Sequence, residues 1–169
     1  MNNEVTKTMP TKKSDIFTLA KFGDLDSFVI KFNPVEVNKK SQHGSGLLHY
    51  AISGEKFDIA KFVLDNGIDV NMTNSDGQTA LHLICINQDI GIAKELLYKG
   101  IDVNLKDKFG NNAIWTAVFN CKGKNYEMVR LLMSYNPDII TKNKAGRSPL
   151  DFAMQIKDET LINLLNQIN

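Results

Sequence analysis

The chain has 169 residues, of which 43% are hydrophobic and 23% are charged, the composition of an ordinary soluble globular domain. Its formal net charge of +1 argues against duplex nucleic acid as the main partner, because phosphate binding needs a basic field on one face. No apolar run reaches the ~18 residues of a membrane span, no secretion signal opens the chain, and two cysteines cannot form a disulfide framework, so we expect a cytoplasmic location.

The N-terminal end of the chain is predicted to lack structure. Residues 1–10 are polar, show no periodicity and end at Pro10, so we expect a flexible tail there. After the tail, a valine-asparagine pair recurs every 33 residues, at Val37-Asn38, Val70-Asn71 and Val103-Asn104. A period of this length is typical of a chain built by stacking one supersecondary unit. We predict a single domain over 11–169, with blocks 11–40, 41–73, 74–106, 107–142 and 143–169.

The sequence pattern of each interior block predicts two helices that follow a glycine turn. The turns contain Gly44, Gly77, Gly110 and Gly146, and the residues that follow show helical spacing of apolar side chains. In the third block the first helix would bury Leu81, Leu83, Ile84 and Cys85, and the second would bury Ile92, Ala93, Leu96 and Leu97. Because one helix cannot bury its stripe alone, neighbouring blocks must stack, and stability is shared along the array.

The beginnings and ends of the blocks resemble ankyrin repeats. The segments that carry the resemblance are Gly77-Gln78-Thr79-Ala80-Leu81-His82, Gly44 to His49, Gly146 to Leu150, Gly67 to Asn71 and Gly100 to Asn104. The resemblance covers about residues 14–169. It implies an all-α ankyrin-repeat solenoid of five hairpin-helix-turn-helix units, including N- and C-terminal caps, with hairpin fingers along one edge.

The resemblance also implies that several polar side chains hold the fold together. His49 and His82 occupy the histidine position of the motif, where the imidazole bonds its own turn and a neighbouring backbone. Asparagine readily forms hydrogen bonds from loops to backbone, so we assign Asn38, Asn71 and Asn104 to structure as well.

The fourth block departs most from the repeat. Trp115 stands in the histidine position, Ile140 replaces the closing asparagine, and three residues are inserted within 121–125. Departures from local consistency are expected where function overrides stability. We therefore expect the specificity of the protein in this block.

The sequence shows no constellation typical of catalysis, so we predict that the protein is not an enzyme and has no cofactor. It contains no nucleophile elbow, no phosphate loop and no paired carboxylates at active-site spacing. A catalytic role would require the inserted loop 121–125 to complete a site with a partner. His82 and Cys85 are three residues apart and could share a metal, but two ligands do not make a site and Cys85 lies where the repeat wants a small buried residue.

Ankyrin-like arrays usually bind partners through a concave face, which the finger tips and first helices form. Ile86, Phe109 and Phe119 are apolar at positions of this face where a merely soluble array would be polar, although Ile86 and Phe119 could instead tuck between helices. Exposed aromatics among cations resemble a binding hot spot with a charged rim. The candidate partner-binding residues are His43, Asp76, Gln78, Ile86, Lys106, Lys108, Phe109, Asn111, Trp115, Phe119, Asn120, Lys142, Lys144 and Arg147.

The resemblance implies a protein-binding module, monomeric on its own, that binds another protein rather than nucleic acid or a membrane. The stretches from Asp107 to Asn120 and from Lys144 to Ala153 are similar to small bacterial ankyrin proteins, which are often immunity proteins that neutralise a secreted toxin. We therefore expect a bacterial immunity protein that binds a cognate toxin. The alternative is a regulatory scaffold or effector that binds a host or cellular signalling protein, and an adjacent toxin gene would separate the two.

Overall fold

The computed structural model describes residues 15–121 and 124–167. The predicted tail, 1–10, lies outside these ranges, and so do residues 122 and 123 of the predicted insertion. The described ranges contain ten α-helices, a 3-10 turn at Pro34–Glu36 and no β-strand. The helices are α1 Ile16–Phe22, α2 Leu25–Lys31, α3 Leu47–Ser53, α4 Phe57–Asp65, α5 Ala80–Asn87, α6 Ile90–Tyr98, α7 Ala113–Asn120, α8 Glu127–Met133, α9 Pro149–Gln155 and α10 Glu159–Leu165. None of them is long and apolar enough to cross a lipid bilayer.

The ten helices pack in two rows that run the length of the array. Helices α1, α3, α5, α7 and α9 contact one another in sequence and form the inner row, and α2, α4, α6, α8 and α10 form the outer row. Each inner helix also packs against the outer helix that follows it in the chain. Neighbouring pairs therefore cover each other's apolar stripes, and the predicted all-α solenoid of five stacked units is confirmed.

The apolar stripes predicted from helical spacing form the interface between the rows, with one exception. Ile92, Ala93, Leu96 and Leu97 of α6 are all buried, as predicted. Of the four residues predicted for the core in α5, Leu83 is only half-buried and borders an opening between the helices and the turns. Leu83 still packs against the core, so the prediction for this residue is confirmed in part. Its partial exposure follows because a residue two positions after a buried one lies on the other side of a helix with about 3.6 residues per turn.

Asparagine side chains connect the loops that follow successive outer helices. The carboxamide oxygen of Asn38 accepts the amide of Asp69 at 2.7 Å, and that of Asn71 accepts the amide of Asp102 at 2.8 Å. Asn104 repeats the bond with the amide of Asp138 at 2.7 Å. The predicted structural role of these asparagines is confirmed.

His49 and His82 connect inner helices to the following block. Their Nε2 atoms lie 3.0 Å from the carbonyl oxygens of Gln78 and Asn111, respectively, and Nδ1 of His82 accepts the amide of Thr79 at 3.2 Å. Burial lowers the pKa of both imidazoles, so the folded chain favours their neutral form. The structural role implied for these histidines is confirmed.

Candidate protein-binding surface

Within the described residues, four turns of the same geometry form one edge of the array: residues 41–45, 74–78, 107–111 and 143–147. They are called fingers here, and each takes the number of its block, so these are the second, third, fourth and fifth fingers. In each finger the amide of the first residue donates to the carbonyl of the last, at 2.8 to 2.9 Å. The fourth residue is always a glycine, with φ between 73° and 82°, a conformation that glycine adopts without strain. The four fingers therefore share one backbone conformation and differ in their side chains.

Direct backbone bonds join the last three fingers into a continuous row. The amide of Lys108 donates to the carbonyl of Asp76 at 2.7 Å, and the amide of Lys144 donates to the carbonyl of Phe109 at 2.9 Å. The approach is close enough that a Cβ on Gly77 would lie 3.1 Å from the amide nitrogen of Lys108. Side chains on these fingers are therefore held in fixed relation to one another.

Phe109 lies at the tip of the fourth finger, as predicted, and is 56% exposed. Its amide donates to the Asp107 carboxylate at 2.9 Å, and its carbonyl accepts the amide of the next finger. The Lys108 ammonium lies 5.0 Å from the centroid of the Phe109 ring, within the range of a cation-π contact. The structure thus holds an exposed aromatic ring on a backbone that is bonded on both sides.

Three aromatic rings of the fourth and fifth blocks pack together behind this finger row. Phe152 of α9 lies between the others, with its ring centroid 5.6 Å from that of Trp115 and 5.5 Å from that of Phe119. Trp115 is 9% exposed, whereas Phe119, near the end of α7, is 58% exposed. Trp115 thus contributes mainly to packing, and Phe119 presents an open ring supported from behind. The alternative that Phe119 tucks between helices is excluded.

An open groove of about 340 Å³ lies between the fourth finger and helices α5 and α7. It is lined by Ile86, Asn111, Trp115, Thr116, Phe119 and Asn120, and all of these except Thr116 were among the predicted partner-binding residues. Ile86 is exposed rather than tucked between helices. The groove combines apolar walls with carboxamides that can donate and accept hydrogen bonds, which is the usual composition of a binding site.

The five cations predicted to surround this groove differ in their surroundings. Lys106 pairs with Asp138 at 3.6 Å, and Lys108 pairs with Asp76 at 2.8 Å. Arg147 donates to the carboxamide oxygen of Gln155 at 3.1 Å and keeps its charge unopposed there.

The remaining two cations, Lys142 and Lys144, are exposed, and within the described residues no carboxylate lies at ion-pair distance from either. Lys144 and Arg147 lie on the fifth finger, and Lys142 directly precedes it. The Asn143 carboxamide of this finger donates to that of Asn111, which lines the groove, at 2.8 Å, so the positive side of the surface adjoins the groove there.

The other predicted partner-binding residues lie away from this groove. His43 is exposed on the second finger, where its ring is 3.3 Å from the carboxamide of Gln42. Gln78 of the third finger is half-buried and uses its backbone carbonyl to receive His49. Asp76, on the same finger, is paired with Lys108. The structure does not bring these three side chains together with Phe119.

Sequence reasoning missed Thr116 and Phe152. Thr116 lines the groove, and Phe152 supports the exposed Phe119 ring. Both occupy the fourth position after the residue that caps their helix, Asn112 and Ser148 respectively. Aligning the blocks by their capping residues would have placed both side chains on the same face of the inner row.

Tyr126, the residue directly after the inserted segment of the fourth block, contacts the fifth block. In the other complete blocks the turn between the helices contains one left-handed residue, namely Glu55, Gln88 or Lys157. In the fourth block Cys121 follows α7 with right-handed angles, and Tyr126, at the start of α8, donates to the Asp158 carboxylate at 2.8 Å. The Asp158 contact raises the pKa of the Tyr126 hydroxyl.

His82 and Cys85, considered above as metal ligands, have structural roles: His82 forms hydrogen bonds within the array and Cys85 is buried in the core. Both ring nitrogens of His82 have hydrogen-bonding neighbours, and burial raises the pKa of the Cys85 thiol far above its ordinary value. A neutral thiol is a poor nucleophile and a poor metal ligand. Over the part of the chain that the structure describes, no three histidine, cysteine or acidic side chains gather as metal ligands would.

Comparison with known protein families agrees with this architecture. The family profile described as ankyrin repeats in three copies matches residues 16–107 and 91–169. The chain belongs to the ankyrin-repeat family. Ankyrin repeats generally mediate protein–protein interaction, and the family is a non-catalytic protein-binding module. A comparison with curated proteins gives no match.

Proposed function

We propose that this ankyrin-repeat protein binds a partner protein through the groove of its fourth block and the adjoining fingers. The observation that carries the proposal is the groove itself, in which the exposed Phe119 and Ile86 lie between backbone-bonded fingers and a packed aromatic cluster. Exposed apolar side chains on a soluble surface mark contact sites when they are contiguous and rimmed by polar groups. The partner would bring an apolar centre to this groove.

The rigidity of the site favours tight binding. Association loses affinity when side chains and loops must be ordered on contact. Here Phe109 is held by two backbone bonds, and Phe119 is backed by Phe152, so little ordering remains to be done. Aromatic residues in such positions contribute a large share of binding energy in protein interfaces.

The charges around the groove select an acidic partner surface. Lys106 and Lys108 are paired with Asp138 and Asp76, whereas within the described residues no carboxylate lies at ion-pair distance from Lys142, Lys144 or Arg147. The pKa of Asp151 is lowered mainly by hydrogen bonds with Ser148 and also by the charge of Lys142, so Lys142 is the least free of the three. Unpaired rim charges act mainly on the rate of encounter. We therefore expect charge reversal at Lys144 to slow association. Charge reversal at Lys108 is a less specific test, because it also breaks the ion pair with Asp76.

We further propose that the protein acts as a monomeric immunity protein in a bacterial cytoplasm, without catalysis, and neutralises a toxin by covering its working surface. A stoichiometric inhibitor needs only a rigid, specific surface, and the fourth block offers one. The alternative is a regulatory scaffold or effector that binds a host or cellular signalling protein. That alternative would use the same groove, since the features that favour binding are common to both.

The experiment is affinity purification with the full chain, mass spectrometry of the co-purifying proteins, and titration calorimetry with the recovered partner. We expect Phe119→Ala and Phe109→Ala each to weaken binding at least about tenfold, the loss typical of a hot-spot aromatic. Tyr98→Ala, an exposed aromatic of the outer row, is the matched control and should bind like the parent. A thermal melt of each variant shows whether the fold is intact.

Two results would count against the proposal. If both phenylalanine variants bind as tightly as the parent, the groove of the fourth block is not the binding surface. If the recovered partner is harmless to cells that lack this chain, the immunity role is wrong and the regulatory alternative takes its place.

A further inference from the structure

The groove of the fourth block is one part of a longer channel between the fingers and the inner row of helices. A cavity of about 680 Å³ lies at the second finger and α1, and one of about 310 Å³ lies between it and the third finger. These two share Lys21 and Tyr50. The second is bordered by Leu83 of α5, one helical turn before Ile86 of the 340 Å³ groove. The three openings therefore follow one another along the same face.

The opening at the N-terminal end is cationic. Its described lining includes the basic side chains of Lys21, Lys39, Lys40 and His43 and one carboxylate, that of Asp15. Lys39 is paired with Glu36 at 3.1 Å, so the positive charge comes chiefly from Lys21 and Lys40. The Asp15 carboxylate is occupied, because one of its oxygens accepts the amides of Phe17 and Thr18 at 2.9 Å each. Lys40 donates to the carbonyl of Thr73, which leaves its charge unopposed. The cavity can thus receive carboxylates.

An exposed aromatic ring accompanies these cations, as in the fourth block. Phe22, the last residue of α1, lines the cavity and is 66% exposed, with the Lys21 ammonium 5.1 Å from its ring centroid. Phe119 likewise lies near the end of an inner-row helix, α7. The two rings mark the two ends of the channel on the same side of it.

The middle of the channel has a different character. Its opening is lined by neutral polar groups such as Ser45, Ser53, Asn74 and Gln78, and among the described lining residues Lys21 is the only lysine or arginine. The buried His49 there is held in its neutral form, since burial lowers its pKa. Positive charge is therefore concentrated at the N-terminal opening and, just beyond the groove of the fourth block, at Arg147, which donates to Gln155 at the end of α9.

We propose that the channel binds one elongated segment of the partner protein, acidic at both ends and polar in the middle, with an apolar side chain against Phe22 and another against Phe119. The inference rests on the proposed function and extends it to a second anchor. A single-stranded nucleic acid would also suit cations beside exposed rings. Its phosphates are evenly spaced, however, and the polar middle of the channel offers them little charge. The charge pattern therefore favours a protein segment.

Two apolar side chains on one partner segment, one against Phe22 and one against Phe119, should bind more tightly together than separately. Once one end is bound, the other is held at a high effective concentration near its own site, provided that the span matches. Loss of either anchor then removes the whole advantage of linkage. This distinguishes one bridging segment from two separate contacts.

The test uses synthetic peptides with the full chain and titration calorimetry. Each peptide carries a phenylalanine beside a glutamate cluster at both ends, joined by serine-glycine spacers of increasing length, and each half is also tested alone. We expect the best two-ended peptide to bind at least tenfold tighter than either half, with an optimum spacer length. Phe22→Ala and Phe119→Ala should each abolish that gain, whereas Tyr98→Ala on the outer row should preserve it.

The outcomes separate this inference from the proposed function. If Phe119→Ala weakens binding of the recovered partner and of the peptides while Phe22→Ala changes neither, the groove of the fourth block stands and the bridging segment is wrong. The inference is likewise overturned if no two-ended peptide binds more tightly than its separate halves. It is also overturned if a single-stranded oligothymidylate binds more tightly than every peptide. Lysine-for-glutamate peptides serve as the charge control and should not bind.

Discussion

The third and fourth blocks share a backbone plan but use the inner helix differently. In the third block, His82 reaches across to the carbonyl of Asn111 and so holds the next finger in place. In the fourth, Trp115 takes that position and packs against Phe152 instead. Both blocks nevertheless have the same finger and the same bond from the closing loop, through Asn71 in one case and Asn104 in the other.

The difference shows which parts of the repeat are free to change. Turn glycines and loop asparagines carry the stacking geometry, so the inner helix can exchange a hydrogen-bonding side chain for an aromatic one without loss of the array. The exchange has a local effect, because an aromatic cluster in place of a buried imidazole supports a further ring, Phe119, on the surface. The fourth block thereby gains an exposed aromatic ring that a partner could contact, while the backbone of the array stays the same.

The strongest test of this comparison is Trp115→Ala. Truncating a buried tryptophan typically costs about 3–5 kcal/mol of unfolding free energy. We expect a loss of that size in chemical denaturation, because Trp115 is buried against Phe152. Trp115→Phe keeps a ring in the cluster and should cost clearly less. If Trp115→Ala costs under about 0.5 kcal/mol, as surface substitutions do, the aromatic cluster does not hold the fourth block.

A second test asks whether the two blocks are equally necessary to the core. Leu97 of α6 and Leu132 of α8 are buried in corresponding outer helices. Leu97→Ala and Leu132→Ala should each lower the unfolding free energy by about 2–5 kcal/mol, the usual loss for a buried leucine.

The cooperativity of the transition completes this second test. Fluorescence from Trp115 in the fourth block and far-UV dichroism of the whole chain should report one midpoint for the Leu97 variant, because neighbouring blocks cover each other. Two separated midpoints would show that the blocks unfold independently.

The ordered features of the fold follow from the sequence because each depends on nearby residues. A glycine with positive φ sets each finger, and the period of 33 places the bonding histidines and asparagines at matching positions. The exposure of Phe109 could be predicted for the same reason, since a position in the repeat fixes its face. The exposure of Phe119 stayed open in the sequence, because a ring near the end of an inner helix can also pack against the neighbouring helix.

Features that depend on two separated blocks could not be predicted in this way. The ion pair of Lys108 joins residues that are 32 apart, and the ring of Phe152 supports a residue of the previous block. Which of several lysines meets a carboxylate depends on side-chain direction across neighbouring fingers, and the linear pattern does not specify it. The cationic cavity around Lys40 was missed because its lining comes from two blocks.

A third test concerns pH and separates the histidine blocks from the tryptophan block. Because burial lowers the pKa of His49 and His82 below the ordinary 6.5, the unfolded chain binds more protons once pH falls under about 6.5. The contribution of the two histidines to the unfolding free energy should be fully present above about pH 6.5 and should be lost as pH falls below it. The carboxylates with lowered pKa, such as Asp15 and Asp151, act separately, below about 3.8.

The matched variant for the pH test is His82→Gln. It removes one of the two buried groups that must charge on unfolding, so the slope of unfolding free energy against pH under about 6.5 should become shallower. Exposed His43→Gln should leave the slope unchanged. Equal slopes in all three proteins would mean that protonation of the buried imidazoles does not govern acid sensitivity.

The smallest expected effect comes from Gly46, which caps α3 where Thr79 caps α5. His49 Nδ1 is buried without a hydrogen-bond partner, because Gly46 has no side chain to offer one. Gly46→Thr should raise the unfolding free energy by about 0.5–1 kcal/mol by providing a hydroxyl for the imidazole. The new Cβ would lie 3.0 Å from the flexible Met72 thioether, which must shift. Gly46→Ala, which adds the Cβ without the hydroxyl, should not stabilise; if it stabilises as much as threonine, the unpaired nitrogen is not the cause.

The bonds made by the closing asparagines also show where the chain tolerates a change of length. From Asn38 and Asn71 the bonded amide lies 31 residues onward, and from Asn104 it lies 34 residues onward, yet the bond lengths agree within 0.1 Å. The fourth block therefore absorbs its three extra residues between the helices and returns to register before the loop. Insertions at this inter-helix turn can lengthen a block without disturbing its neighbours. The same turn is accordingly a suitable place for an engineer to graft a loop.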